Sequence, residues 1–109
     1  MKTLNRHHYI MRIFSKRTLR EYWDKEPIAK TSLLGWFEVV EEAEWSNHNG
    51  LKAQFKNASI IDEKRVVFNI HGNKFRLIVD IEYQRKWVFI AWLGTHSEYD
   101  KINVKTINT

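Results

Sequence analysis

The stretch from Val66 to Ile102 constrains the fold more than any other part of this sequence. It contains two runs in which apolar and polar residues alternate, separated by Gly72-Asn73. Such alternation is typical of strands with one buried face, and glycine at the first position of a two-residue loop favours a type II′ hairpin. The apolar residues that share one face are Val66, Phe68 and Ile70 before the turn and Phe75, Leu77, Val79 and Ile81 after it. The pattern predicts an antiparallel hairpin in which Ile70 lies opposite Phe75.

The polar face of the same hairpin carries basic residues. With this register His71 lies opposite Lys74 and Asn69 lies opposite Arg76, and cross-strand neighbours of this kind are close enough for contact. A slip of one residue would turn Lys74 and Arg76 into the core, so the register is well determined. We expect His71, Lys74 and Arg76 on the sheet face that points away from the helices.

A third strand follows, from Trp87 to Leu93, and its direction matters for function. The run is apolar on both faces, which predicts a central and well-covered strand. Its register stays open, because the turn at residues 84–86 fits a loop of two or of three residues. In either case the strand runs back towards the hairpin turn. Residues 94–100 therefore leave the sheet beside Lys74 and Arg76.

The N-terminal half is expected to cover this sheet. Residues 9–14 can form an edge strand, and Ser15 is a candidate N-cap for a helix that reaches Lys25 and ends before Pro27. A second helix is expected from about residue 29 to residue 45. Helical spacing places on the buried faces Leu19, Tyr22 and Trp23 of the first helix and Leu33, Trp36, Phe37 and Val40 of the second.

Three short features complete the predicted helical layer. Gly35, inside the second helix, costs about 1 kcal/mol relative to alanine, which suggests a close contact between helices at that point. Residues 47–50, Asn-His-Asn-Gly, have the composition of a loop. Residues 51–55 fit either a short helical turn or an extended covering segment.

Composition restricts the class of protein. A chain of 109 residues is long enough for one domain with a core. It has no cysteine, which excludes disulfides and cysteine-based zinc sites. No run approaches the ~18 consecutive apolar residues of a membrane span, and no signal-peptide segment follows Met1. We therefore expect a cytoplasmic protein that does not bind membranes. The net charge of +5 favours an anionic partner.

The charges are unevenly distributed along the chain. Four glutamates fall on the second predicted helix, and this cluster indicates that nucleic acid does not approach from that side: Glu38, Glu41, Glu42 and Glu44. Lys16, Arg17 and Arg20 form either a solvated helix face or a surface that follows phosphates. The histidines at positions 7, 8 and 48 lack the spacing of metal ligands, so no metal site is predicted.

Several segments resemble one known family, the HigB toxins of type II toxin–antitoxin systems, within the RelE/ParE toxin superfamily. The matching segments are Met11-Arg12-Ile13, Thr18-Leu19-Arg20-Glu21, Leu51-Lys52-Ala53, VVFNIHGNKFRLIV and GTHSEYDKI. The resemblance covers roughly residues 11–104. It implies that residues 1–10 are an N-terminal extension and that residues 11–109 form a single toxin domain.

The resemblance also implies a fold, an activity and partners. The fold would be α+β and RelE-like, with an N-terminal strand and two helices packed on an antiparallel sheet that contains a three-stranded meander. The activity would be cleavage of mRNA on the ribosome, which inhibits translation. The partners would be the mRNA on the ribosome and a HigA-like antitoxin with a helix-turn-helix domain.

Four residues at the hairpin end suit metal-independent RNA cleavage without a cofactor. In this reaction the 2′-OH attacks the neighbouring phosphorus, so it needs a base, an acid and cations for the transition-state charge. Lys74 and Arg76 suit the cationic role. His96 is the first candidate for acid–base work, because the ordinary pKa of histidine allows either function near neutral pH. Tyr99 either stacks on a base or takes part in proton transfer. In RelE-type toxins Lys, Arg and Tyr do most of this work, which leaves the individual roles open.

The remaining polar residues at this end are predicted to contact RNA: Asn69, His71, Asn73, Asp100 and Lys101. Among them, His71 is the second histidine candidate for acid–base work. Asp100 is a candidate to orient His96 or Lys101.

Each of these assignments has a structural alternative. Lys74 and Arg76 would then only increase solubility, and His71 would be only a turn residue. Thr95 would be the N-cap of a C-terminal helix, with Glu98 completing a capping box. At the level of function, the alternative is a non-catalytic toxin or RNA-binding module on the same fold, which acts by contact alone, as ParE-type members do on gyrase.

Overall fold

A computed structural model of the protein describes residues 10–109. The predicted N-terminal extension, residues 1–10, therefore falls almost entirely outside the described residues. In chain order the elements are β1 (Arg12–Phe14), α1 (Lys16–Lys25), a 3-10 turn (Pro27–Ala29), α2 (Lys30–Glu41), α3 (His48–Gln54), β2 (Ser59–Ile60), β3 (Arg65–Ile70), β4 (Phe75–Glu82), β5 (Trp87–Thr95) and α4 (His96–Tyr99). No helix in this part of the chain is long and apolar enough to cross a membrane.

The strands form one mixed sheet with the order β1-β5-β4-β3-β2. β1 runs parallel to β5, and every other neighbouring pair is antiparallel. The predicted α+β, RelE-like arrangement is confirmed, with the three-stranded meander at its centre. The predicted edge strand at residues 9–14 is present as β1 over Arg12–Phe14 only, and residue 9 lies outside the described residues. The short strand β2, on the opposite edge, was not predicted.

The register of the β3–β4 hairpin is confirmed. Ile70 pairs with Phe75, and Asn69 pairs with Arg76. The Lys74 N–H donates to the His71 carbonyl at 3.1 Å, which closes the turn around Gly72-Asn73. Gly72, the first central residue of the turn, has a positive φ of 62° and Asn73 does not, in keeping with a type II′ turn. The unexpected feature is His71, the residue before them, whose φ is also positive, at 55°. A type II′ turn needs positive φ at its first central residue only.

The third strand departs from the prediction in two ways. Four residues, 83–86, separate the paired Glu82 and Trp87, instead of two or three. The register then shifts at Ala91, because Ile78 pairs with Trp92 whereas Val79 pairs with Ile90. The strand lies inside the sheet, but its outer face is not covered as predicted: Phe89 is 40% exposed. The apolar run therefore predicted the strand correctly, but it predicted more burial of the strand than the structure shows.

The helical layer largely follows the prediction. α1 begins after Ser15 and buries Leu19 and Trp23, while Tyr22 is half-buried. α2 buries the four predicted residues Leu33, Trp36, Phe37 and Val40. It ends at Glu41, earlier than predicted, because the chain then turns to bury Ala43 and Trp45. The predicted close contact at Gly35 is wrong, since a side-chain carbon there would meet nothing within 4 Å.

The segment predicted as a loop at residues 47–50 instead begins α3. Asn47 is the N-cap, and its side-chain oxygen accepts a hydrogen bond from the Gly50 N–H at 3.1 Å. Asparagine is a favoured N-cap residue, so the same residues that suggest a loop also start a helix. Of the two alternatives for residues 51–55, the helical one is correct as far as Gln54.

The C-terminal segment, residues 101–109, packs across the outer face of the sheet. The buried Arg65 donates from Nη1 to the carbonyls of Val104 and Ile107, at 3.0 and 2.6 Å. The Asn108 side chain donates to the carbonyl of Ala91, the residue at the register shift, at 2.7 Å. This segment therefore covers the middle of the outer face and leaves both of its ends open.

Candidate functional site

The hairpin turn and the end of β5 meet as the strand directions predict. The His96 N–H donates to the Lys74 carbonyl at 2.9 Å. This backbone hydrogen bond joins the start of α4 to the first residue after the turn. Two candidate residues that lie 22 positions apart in the sequence are thus held side by side.

A capping box fixes the start of α4. The Glu98 N–H donates to the Thr95 hydroxyl at 3.1 Å, and the Thr95 N–H donates to the Glu98 carboxylate at 2.8 Å. The structural role considered for Thr95 and Glu98 is therefore confirmed. It is compatible with a functional one, because the cap orients the short helix that carries His96 and Tyr99.

Arg76 lies in an aromatic setting on the outer face. Its guanidinium carbon is 5.8 Å from the centre of the Tyr99 ring, and the Tyr99 ring is 6.2 Å from that of Trp92. Arg76 Nη1 also donates to the carbonyls of Asn73 and Phe75, at 2.9 and 3.2 Å. No carboxylate of the described residues pairs with this guanidinium, so its charge is available to an anionic ligand.

Burial raises the pKa of Tyr99 above its ordinary value, the nearby Arg76 lowers it, and Asp100 raises it further. The net direction is upwards. The phenol is therefore protonated at neutral pH, where it can donate a hydrogen bond or a proton.

Gly94 permits the packing beneath Tyr99. A side-chain carbon at this position would lie 2.7 Å from Cζ2 of Trp92 and 2.8 Å from the Glu98 carboxylate. The Trp92 indole and the capping carboxylate therefore occupy the space that any larger residue would need. The sequence analysis did not identify Trp92 or Gly94 as parts of the site. Their spacing of two residues on one strand, just before the cap, is the signal that was available.

His96 is exposed and lies near an acid. Its Nε2 atom is 3.6 Å from Oδ2 of Asp100. This distance allows an ion pair when the imidazole is protonated, and it is too long for a good hydrogen bond. Lys74 and Lys101 are both exposed, and neither ammonium group has a hydrogen-bond partner among residues 10–109.

The hairpin turn places His71 differently from the prediction. With φ of 55°, His71 does not continue the strand alternation that put it on the outer face beside Arg76. Its ring lies 6.5 Å from that of Phe75, a residue of the helix-facing core, and it lines a groove beside α2. The prediction that His71 points away from the helices is therefore wrong. Asn69 lines the same groove, and Asn73 is exposed in the turn.

Other polar residues take structural roles or remain on the surface. Arg17 pairs with Glu21 at 2.9 Å on the exposed side of α1, which favours the solvated interpretation of that face. His48 bonds through Nδ1 to the Tyr83 hydroxyl at 2.6 Å and through Nε2 to the Asp62 carbonyl at 2.9 Å. Within residues 10–109 no group of three or more potential metal ligands comes together.

The arrangement has the groups that phosphoryl chemistry requires. At one end of the sheet, Arg76 lies against the protonated phenol of Tyr99, and the backbone of Lys74 is bonded to that of His96, whose imidazole is exposed. Such a surface can bind a phosphate, stabilise added negative charge on it and exchange protons beside it.

Comparison with known proteins identifies the family of this chain. Residues 29–102 match the model of a family described as HigB toxin, the RelE-like toxic component of a toxin–antitoxin system. The mRNA interferase toxin HigB of Escherichia coli K12 is 28% identical over 93 residues, which cover 83% of this chain and 88% of that protein. The mRNA interferase HigB of Escherichia coli O6:H1 is 29% identical over 94 residues, 84% of this chain and 91% of that protein. Because the family model matches more than half of its length, the chain belongs to the HigB toxin family.

Proposed function

We propose that this toxin is an mRNA endoribonuclease that cleaves its substrate on the ribosome. Two findings support an endoribonuclease: membership of the HigB family, and relatives that are named mRNA interferases over most of this chain. The observation that carries the assignment of the site is the hydrogen bond from the His96 N–H to the Lys74 carbonyl. It joins the backbone of His96 to that of Lys74, two residues before Arg76, and RNA docking alone does not require a titratable residue at such a position.

The proposed reaction is an attack of the 2′-oxygen on the adjacent phosphorus. The new bond joins the 2′-oxygen to phosphorus, and the bond from phosphorus to the 5′-oxygen of the next nucleotide breaks. A base takes the proton of the 2′-OH, and an acid gives a proton to the departing 5′-oxygen. The products are a 2′,3′-cyclic phosphate and a 5′-hydroxyl end.

Lys74 and Arg76 would stabilise the charge that develops on the phosphate oxygens. One preorganised group of this kind contributes roughly 2.7–4 kcal/mol to transition-state stabilisation. Arg76 is suited to this role because no carboxylate of residues 10–109 neutralises it. Its planar fork also matches phosphate geometry.

His96 and Tyr99 are the proposed proton-transfer groups. His96 can serve as base or acid near neutral pH. The raised pKa of Tyr99 favours a protonated phenol, which fits an acid or a hydrogen-bond donor better than a base. Asp100, 3.6 Å from His96, would stabilise its imidazolium form.

The substrate and partners complete the proposal. Asn69, Asn73 and Lys101 surround the site and would contact RNA, together with His71 at the rim of the neighbouring groove. A toxin of a toxin–antitoxin system has an antitoxin as its partner, and we propose a HigA-like protein with a helix-turn-helix domain. Residues 11–109 are the proposed toxin domain.

The test is inducible expression of the full chain, with and without the antitoxin from the same operon. Expression alone should arrest growth and fragment mRNA, and the fragments should carry 5′-hydroxyl ends that ligate only after phosphorylation. The antitoxin should restore growth. Growth arrest with intact mRNA would favour the non-catalytic alternative, and unaffected growth would overturn the toxin assignment itself.

A further inference from the structure

A groove of about 350 Å³ lies between α2 and the end of β3, on the helix side of the molecule. Its walls include Gly35, Trp36 and Val39 from α2 and Asn69 and His71 from the hairpin. β2 pairs with β3 only at Val66 and Val67, so β2 does not cover the edge of β3 beyond them. The groove is therefore bounded by a helix on one side and by an uncovered strand end on the other.

The α2 wall continues into an exposed apolar stripe. Ser32, Gly35 and Val39 of α2 follow one another at helical spacing, which places them on one face, and Ile28 of the preceding 3-10 turn comes four residues before Ser32. Ile28 is 51% exposed and Val39 is 40% exposed. A side-chain carbon at Gly35 would meet nothing within 4 Å. The described part of the chain thus leaves this face of the helix without a packing partner.

Trp36, which lines the groove, carries a polar group that lacks a partner within the described residues. Trp36 is only 4% exposed, and its indole Nε1 has no hydrogen-bond acceptor among residues 10–109. Buried indole N–H groups normally find a partner. The groove therefore lies beside a buried donor that is unsatisfied within the described residues.

The charges around the stripe indicate what kind of partner fits. Glu38 of α2 and Glu42, the residue after α2, are both exposed beside it, and no Lys or Arg occurs from residue 31 to residue 44. This side is acidic in a chain whose net charge is +5. Nucleic acid is therefore a poor partner here, whereas a protein segment with apolar and basic side chains is complementary in both respects.

We infer that the antitoxin binds in this groove through an amphipathic segment. Its apolar side chains would pack on Gly35 and Val39, and its basic side chains would face Glu38 and Glu42. The inference rests on membership of the toxin–antitoxin family and does not require that the toxin cleave RNA. A segment that fills the groove also contacts His71, three residues before Lys74, and thus reaches the margin of the proposed catalytic site.

The experiment measures the affinity of the operon's antitoxin for the full-length toxin, with His96→Gln in every sample so that the toxin can be purified. Val39→Arg places a bulky cation in the groove and should weaken binding by about thirtyfold or more, as expected for the centre of an interface. The matched controls are Ile60→Arg on β2 and Phe89→Arg at the far end of β5. These sites are similarly exposed, at 38% and 40%, and both variants should bind within about threefold of the parent.

A second, more conservative variant keeps the experiment informative if Val39→Arg does not fold. Glu38→Gln combined with Glu42→Gln keeps the side-chain shapes and should weaken binding by up to about tenfold at low salt, with a smaller salt dependence. Glu63→Gln combined with Glu82→Gln removes the same charge elsewhere. It should change neither the affinity for the antitoxin nor the salt dependence of that affinity. In cells, with His96 restored, Val39→Arg should remain toxic and should no longer be rescued by the antitoxin.

Three results would overturn the inference. The first is parental affinity for Val39→Arg and for the double glutamine variant. The second is loss of binding by Phe89→Arg instead, which would place the antitoxin on the outer face of β5. The third is a dimeric toxin that becomes monomeric with Val39→Arg in the absence of antitoxin, because a second copy of the chain would then occupy the groove. A parent toxin that binds antitoxin but leaves mRNA intact would refute the proposed activity and leave this interface standing.

Discussion

Two arginines on the outer face of one sheet differ in how the rest of the chain covers them. Arg65, on β3, is 2% exposed, bonds to both Asp80 carboxylate oxygens at 2.8 and 2.9 Å, and donates to two carbonyls of the C-terminal segment. Arg76, on β4, is half-buried, and within residues 10–109 its hydrogen bonds go to neighbouring backbone carbonyls. The C-terminal segment covers one guanidinium and leaves the other open. The two residues are of the same type and lie on the same sheet face. What distinguishes the structural arginine from the proposed functional one is whether the C-terminal segment packs over it.

The largest expected effect on stability follows from removing the covered arginine. Arg65→Ala leaves Asp80 without its partner and removes the donors to the C-terminal segment, so unfolding should become easier by about 3–5 kcal/mol. Arg65→Lys keeps the charge without the two-pronged geometry and should lose less. Urea unfolding of a catalytically inactive background measures both. The comparison fails if Arg76→Ala destabilises the fold as much as Arg65→Ala does.

The packing around Tyr99, at the end of the sheet that carries the proposed site, can be tested by substitution. Gly94→Ala forces Trp92 or Glu98 to move, which should displace Tyr99 and lower RNA cleavage by about 10–100-fold while the protein remains folded. Gly35→Ala is the matched control, because the space there is empty. It should stabilise α2 by roughly 1 kcal/mol and leave cleavage unchanged. Equal cleavage by both variants would show that the packing under Tyr99 does not position the site.

A smaller expected effect is a loss of stability at alkaline pH, caused by Tyr22 and Tyr83. Burial is the main cause that raises their pKa values to about 12, and for Tyr22 the nearby Glu26 and Glu98 add to it. The unfolded chain would release these protons near pH 10, so stability should fall as pH rises from about 10 to about 12. Tyr22→Phe should reduce this alkaline loss, as followed by thermal unfolding between pH 8 and pH 12. An unchanged pH profile would contradict the assignment.

The sequence predicted the hairpin, and the meeting of its turn with the end of β5, because both depend on short-range alternation and strand direction. A strand period of two determines which residue lies opposite Arg76, and the direction of the next strand brings His96 to Lys74. These inferences need no knowledge of the rest of the fold. The predicted residues Lys74, Arg76, His96 and Tyr99 do come together at one end of the sheet, and their roles remain a proposal.

The features that the sequence did not predict depend on packing by segments that are distant in the sequence, or on local backbone geometry. Nothing near Arg65 indicates that Val104 and Ile107, about 40 residues later, bury it. Phe89 lies in an apolar run that resembles a covered strand, although its outer face is open. The sequence pattern extended the strand alternation to His71. In the structure the positive φ of His71 ends this alternation at Ile70.

Cleavage of mRNA on programmed ribosomes, measured beside ribosome binding, tests the central claim most directly. The parent should bind and cleave. His96→Gln should bind equally and cleave about 10²–10⁴-fold more slowly, because glutamine cannot exchange a proton near neutral pH. Lys74→Ala and Arg76→Ala should cleave about a hundred- to a thousand-fold more slowly, whereas Arg85→Ala, an exposed arginine at the opposite end of the sheet, should cleave at the parental rate. A parent that binds ribosomes and leaves mRNA intact, or site variants that all cleave at the parental rate, would contradict the account.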